Sequence, residues 1–139
     1  MPRARLIATN GPWLEAVIEI DGRRLTVMDE FSVVGPDTCP QPGQEFEVEL
    51  SSLLLEDEPW EAIFAGNPGR RVGLDQLDGW RYRAFGRVIS IAPVIVDCGL
   101  LRVEDVVRTH DTRVIGEYLA FTISRLGGQI RAIASRHAC

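Results

Sequence analysis

The sequence predicts a mainly β protein, a small single-domain antiparallel β-barrel with one short helix. Two observations carry that expectation. Apolar residues fall in short alternating runs separated by glycine, proline, asparagine and aspartate. Only one segment, at about 57–66, combines a helix start with a helix stop. At 139 residues the chain has the length of one ordinary domain, 1–139, enough to build a core without disulfides or metal.

The elements follow in chain order. RARLIATN, Arg3 to Asn10, alternates weakly and reads as a strand. WLEAVIEIDGRRLTVMDE holds two apolar arms around Asp21-Gly22, a strong hairpin signal because both residues tolerate positive φ. FSVV reads as further strand and runs into GPDTCPQPG, whose prolines and glycines make a loop. QEFEVEL then alternates cleanly, with Phe46, Val48 and Leu50 on one face and Glu45, Glu47 and Glu49 on the other. SSLLLEDEPWEAIFAGNPG is the helix candidate, with Pro59 at a first helical position and Gly66 as its stop. NPGRRVGLDQLDG reads as loop. WRYRAFGRVISIA resumes the strand pattern up to Pro93, and VIVDCGLLRVEDVV follows as a second strand. Between Arg113 and Arg125 helical and alternating spacings coexist; Gly116 and the β-branched Val114, Ile115, Thr122 and Ile123 favour a strand. Residues 128–139 read as a mobile tail.

About seven short strands and one helix-bearing connection resemble an OB-fold, the small barrel with a helix between its third and fourth strands. The resemblance is architectural and brings no motif with it.

Composition bounds function. An apolar fraction of 45% and a charged fraction of 25% are those of a globular chain. Val88 to Val96, the longest apolar run, is interrupted by Ser90 and Pro93 and is far too short for a transmembrane helix. No signal-peptide hydrophobic region follows the N-terminal arginines, so a cytoplasmic location and no membrane partner are expected. Cys39, Cys98 and Cys139 lack a C-x-x-C pair and suit free thiols in a reducing compartment. All 15 basic residues are arginine, a bias that reads as a GC-rich, bacterial codon supply. The net charge of −5 is unevenly spread: residues 1–69 carry 13 acids against 4 arginines, and residues 70–139 carry 7 against 11. Acidity in the first half disfavours nonspecific nucleic-acid binding by the whole molecule.

Five groups of residues invite a chemical reading. Cys98, with Asp97 before it and His110-Asp111 downstream, has the residue types of a nucleophilic centre. Its strand neighbours Val94 and Val96 instead predict a buried, inert thiol, while Asp97 is expected at a strand end or in the turn at Gly99. GNPGRRVG lacks phosphate-loop spacing and reads as a turn. Trp80, Arg81, Tyr82, Arg83 and Arg87 supply aromatics and cations for single-stranded nucleic acid, although alternation puts Trp80 and Tyr82 on the face opposite Arg81 and Arg83, which reads as aromatics in the core and arginines in solvent. Glu45, Glu47 and Glu49, with Glu56, Asp57 and Glu58 close behind, form an acidic surface; Arg23 and Arg24 are its expected cross-strand partners. His137 and Cys139, even with His110, make a poor metal set, and no metal or cofactor is expected. The sequence therefore favours a non-enzymatic binding module that meets a protein partner through an acidic surface or a sheet edge. A single-stranded nucleic-acid binder is the alternative, and a small enzyme using Cys98 is a third. The oligomeric state has no sequence signal.

Overall fold

The computed structural model describes residues 3–32 and 40–133, the last three by backbone alone. About 55% is strand, with one short helix. Nine strands occur among the described residues: β1 Arg3–Thr9, β2 Glu15–Ile20, β3 Arg23–Asp29, β4 Glu45–Leu54, β5 Gly73–Asp78, β6 Arg81–Ile91, β7 Val94–Asp97, β8 Arg102–Glu104 and β9 Tyr118–Ile133. The helix α1 spans Trp60–Ala65, and a single 3-10 turn spans Thr112–Val114. No helix among the described residues is long and apolar enough to cross a membrane.

The chain divides into two compact units. The first takes its described residues from those up to Leu53, from Asp78–Trp80 and from Arg125 onward. It contains a ring of five strands, in the order β3-β2-β1-β4-β9, which closes because β3 also pairs with β9. β1–β2, β2–β3 and β1–β4 are antiparallel, whereas the closing pair is parallel, with Met28 opposite Gly127. The β2–β3 hairpin turns at Asp21 (φ 51°) and Gly22 (φ 78°), the two successive positive-φ residues a tight primed turn demands. Alternation decides what enters the core: Ala4 and Leu6 of β1, Ile18 and Ile20 of β2 and Phe46 and Val48 of β4 are all at most 1% exposed. Phe31 packs on Phe46 with ring centroids 5.2 Å apart. Each fully buried large side chain contributes roughly 1.5–3 kcal/mol through removal of apolar surface from water.

Asp29 ends β3 as a fully buried carboxylate. Its oxygens accept from the backbone N–H groups of Phe31 (3.1 Å) and Ser32 (2.8 Å) and from the hydroxyls of Ser32 and Thr9. A buried charge is tolerated only when hydrogen-bonded in this way, and here it shapes the chain leaving the ring.

The second unit comprises Leu54–Leu77 and Arg81–Ser124. β6 is its central strand, antiparallel to β9 from Tyr82 opposite Ile123 to Arg87 opposite Tyr118, and antiparallel to β7. β7 pairs with β8, and β5 pairs with β6. α1 has Pro59 at its N-cap, and its first turn closes with Ile63 N–H donating to Pro59 O at 3.0 Å. A helix this short is held by packing of Ile63, 3% exposed, rather than by propensity.

Several expectations are corrected. The strand expected over residues 44–50 runs further, as residues 51–54 extend β4. Pro59 precedes the first helical residue instead of occupying that position. The loop reading of Gly73–Asp78 is wrong because pairing to β6 makes a strand of a stretch in which only Leu74 is buried. VIVDCGLLRVEDVV is not one strand: β7 and β8 form a hairpin closed by Cys98 N–H donating to Leu101 O at 3.0 Å. Pro93 likewise marks a full chain reversal between β6 and β7, with Ile91 opposite Val94, and the Ala92–Pro93 peptide is cis. The ambiguous segment resolves into the 3-10 turn and then strand, and residues 128–133, expected to begin a tail, continue β9. The expected strand at Val33-Val34, together with Cys39, His137 and Cys139, lies outside the described residues.

Candidate functional sites

The acidic strand is partly neutralised from an unexpected side. Because β4 pairs with β1, Arg3 and Arg5 approach Glu45 at 4.0 and 3.7 Å. Arg24, on β3, instead faces Glu19 at 3.9 Å across the β2–β3 pair, and Arg23 stands opposite Ile20. The expected partners Arg23 and Arg24 are therefore wrong: β3 has β2 and β9 as neighbours, never β4. Glu45, Glu47 and Glu49 are all half-buried rather than a freely projecting row.

The aromatic and cationic group does not assemble into a stacking surface. Tyr82 is 1% exposed and belongs to the core. Trp80 lies in the turn before β6, half-buried, with its carbonyl accepting from Leu126 N–H at 2.9 Å. Arg83 donates to Glu58 at 2.9 Å and to the Thr122 hydroxyl at 3.0 Å, and the second oxygen of Glu58 accepts from Thr122 N–H. That knot ties the residue before Pro59 to β6 and β9. Arg81 and Arg87 are exposed.

Cys98 is fully buried, and burial pushes its thiol up to about 12, with the neighbouring Asp97 charge adding to the rise. A thiol in that state is neither nucleophile nor ligand at neutral pH. Asp97 accepts from Gly99 N–H at 2.9 Å in the turn between β7 and β8, where Gly99 has φ 88°. Gly86 explains the tightness here. A Cβ on it would lie 2.6 Å from Asp97 O and 2.9 Å from Cys98 Sγ, so β6 and β7 approach only because that atom is missing. His110 is exposed and lines a pocket of about 290 Å³ with Pro93, Asp105 and Arg108, to which Cys98 does not contribute. Asp111 is held down to about 2 by side-chain and then backbone hydrogen bonds from Arg113. Cys98 is thus buried, His110 exposed and Asp111 engaged by Arg113. Among the described residues no group of three His, Cys, Asp or Glu side chains is placed to hold a metal ion.

Two clefts on the second unit were only dimly visible in the sequence. One, of about 630 Å³, runs between the end of β4 with the start of α1 and the segment after β8. Glu56, Asp57 and Asp105 line it beside Leu55 and Trp60, which are 46% and 49% exposed. Glu58 also lines it but is committed to Arg83, and Arg108 stands 4.0 Å from Asp105. The other cleft, of about 590 Å³, lies against the GNPGRRVG turn. Asn67, 5% exposed, organises that turn: its amide donates to Arg71 O at 2.9 Å and Leu119 O at 3.2 Å, and its carbonyl accepts from Arg71 N–H at 2.8 Å. Arg71 is spent on Asp75, at 2.7 and 2.8 Å, and on the Phe85 ring, whose centroid is 4.2 Å away.

In comparison with known proteins, the chain matches no family model, no curated protein and no solved structure.

Proposed function

We propose that this protein is a non-enzymatic, cytoplasmic binding module that docks a basic segment of a protein partner in the acidic cleft of its second unit. The observation that carries the reading is the combination in one cleft of the Glu56, Asp57 and Asp105 carboxylates with the exposed Trp60 and Leu55. Carboxylates match lysine or arginine side chains of a partner, the indole face takes a cation or an aliphatic stem, and Leu55 supplies an apolar anchor. The buried, strongly raised thiol of Cys98 speaks against the small enzyme. The burial of Tyr82 and the pairing of Arg83 weigh against single-stranded nucleic acid as the ligand. We read the five-strand ring as an OB-like barrel, supported by its order and its parallel closing pair; α1 then lies in the connection after the fourth ring strand, not between the third and fourth.

Titration with a short synthetic peptide alternating lysine and leucine, read by tryptophan fluorescence, tests the function. Saturable binding that weakens with salt and is reduced about tenfold by a combined Glu56→Gln, Asp57→Asn, Asp105→Asn variant is expected. Equal binding of a glutamate–leucine peptide, or no binding at low ionic strength, ends the reading.

A further inference from the structure

We infer a second ligand site, for the phosphomonoester of a flat nitrogenous ring, a nucleoside monophosphate in chemical class, in the cleft beside the GNPGRRVG turn. Arg70 and Arg87 both line this cleft, together with Phe64, Asn67, Glu117 and Tyr118. Elsewhere in the same unit Arg71, Arg83, Arg108 and Arg113 each stand by a carboxylate. Arg70 and Arg87 make no such pair among the described residues, so two guanidinium groups line the cleft against one carboxylate, that of Glu117.

The backbone of Arg70 and the guanidinium of Arg87 each lie against fixed surroundings. Arg70 sits at φ 52° in the turn that buried Asn67 locks from both sides. Arg87 lies along Gly116: a Cβ there would come within 3.5 Å of its Nη2, and the φ of 93° at Gly116 is one that side-chain-bearing residues rarely adopt. Gly116 N–H is itself fixed by Val88 O at 2.8 Å. Tyr118 stands opposite Arg87 in the β6–β9 register, so its phenol and the guanidinium share one wall.

The chemistry selects the ligand. Two fork-shaped cations balance a phosphomonoester, which carries about −1.5 to −2 charges at neutral pH, better than a single carboxylate. The phenol of Tyr118 adds a donor for a phosphate oxygen, and the Phe64 ring offers an apolar surface for a flat group. Glu117 would repel a bare anion near it but accepts N–H groups, which a nucleobase supplies and a simple sugar phosphate does not. The cleft volume of about 590 Å³ falls in the range of small-molecule sites, roughly 300–1,000 Å³.

Calorimetric titration of the full chain at low ionic strength with adenosine and guanosine monophosphates, inorganic phosphate and adenosine tests the inference. At least one monophosphate should bind about tenfold more tightly than either phosphate or adenosine, and Arg70→Gln and Arg87→Gln should each weaken it by about tenfold. Both side chains are exposed, so the thermal midpoint of these variants should stay unchanged. Tyr118→Phe should weaken binding less, and the three-residue variant of the acidic cleft should leave it intact. No saturable binding of either monophosphate, equal affinity for inorganic phosphate, or binding indifferent to both arginine substitutions would overturn it.

Discussion

Cys98 shows how a residue with reactive chemistry becomes structural. Its thiol is raised from the ordinary 9.0 to about 12 by burial and by the adjacent Asp97. The folded state thus favours the neutral thiol. Below pH 9 both folded and unfolded forms are protonated and the group is silent; between about pH 9 and 12 only the unfolded form ionises, so stability falls by about 1.4 kcal/mol per pH unit from this group. In urea unfolding of wild type and Cys98→Ala at pH 8, 9.5 and 10.5, the wild type should lose more stability with rising pH than the variant, by this slope. A native thiol-labelling rate limited by unfolding is the companion expectation. The alternation of Val94, Val96 and Cys98 made the burial readable from sequence, whereas the need for glycine at position 86 was not, because it depends on where β7 runs.

At the scale of elements, α1 depends on a contact the sequence hides. Glu58 precedes Pro59 and reads locally as a helix-start acid, yet it serves Arg83 and Thr122, 25 and 64 residues away. Removing it as Glu58→Ala leaves a partly buried guanidinium and the Thr122 N–H without that acceptor. A loss of about 1–3 kcal/mol in chemical denaturation is expected, and Glu58→Gln should recover part of it by keeping an amide oxygen. Double-mutant analysis with Arg83→Met separates the pair from the backbone contact: complete additivity would show that the ion pair contributes nothing. Strand β5 makes a related point. Its exposed Asp75, Gln76, Leu77 and Asp78 carry no alternation, and only the neighbouring β6 makes them strand.

At the scale of the whole molecule, closure of the ring rests on glycine at the β3–β9 contact. Gly127 stands opposite Met28, and a Cβ on it would lie 2.5 Å from Ser51 Oγ and 2.6 Å from Glu30 Oε2. Gly127→Val should cost about 1–3 kcal/mol and raise amide exchange in β3, because the added branch displaces the groups lying across the closing pair. Unchanged exchange in β3 would show that the closing pair is dispensable. The sequence by itself determined the β character, the hairpin at Asp21-Gly22, the faces of β4 and the end of the helix near Gly66, because each depends on φ/ψ preference or period within a few residues. Only the tertiary structure decided that β4 lies beside β1, so that Arg3 and Arg5 meet Glu45, that Arg83 pairs with Glu58, and that Arg70 and Arg87 share a cleft. Those are relations between distant segments, set by which strand edges pair, and no local pattern encodes them.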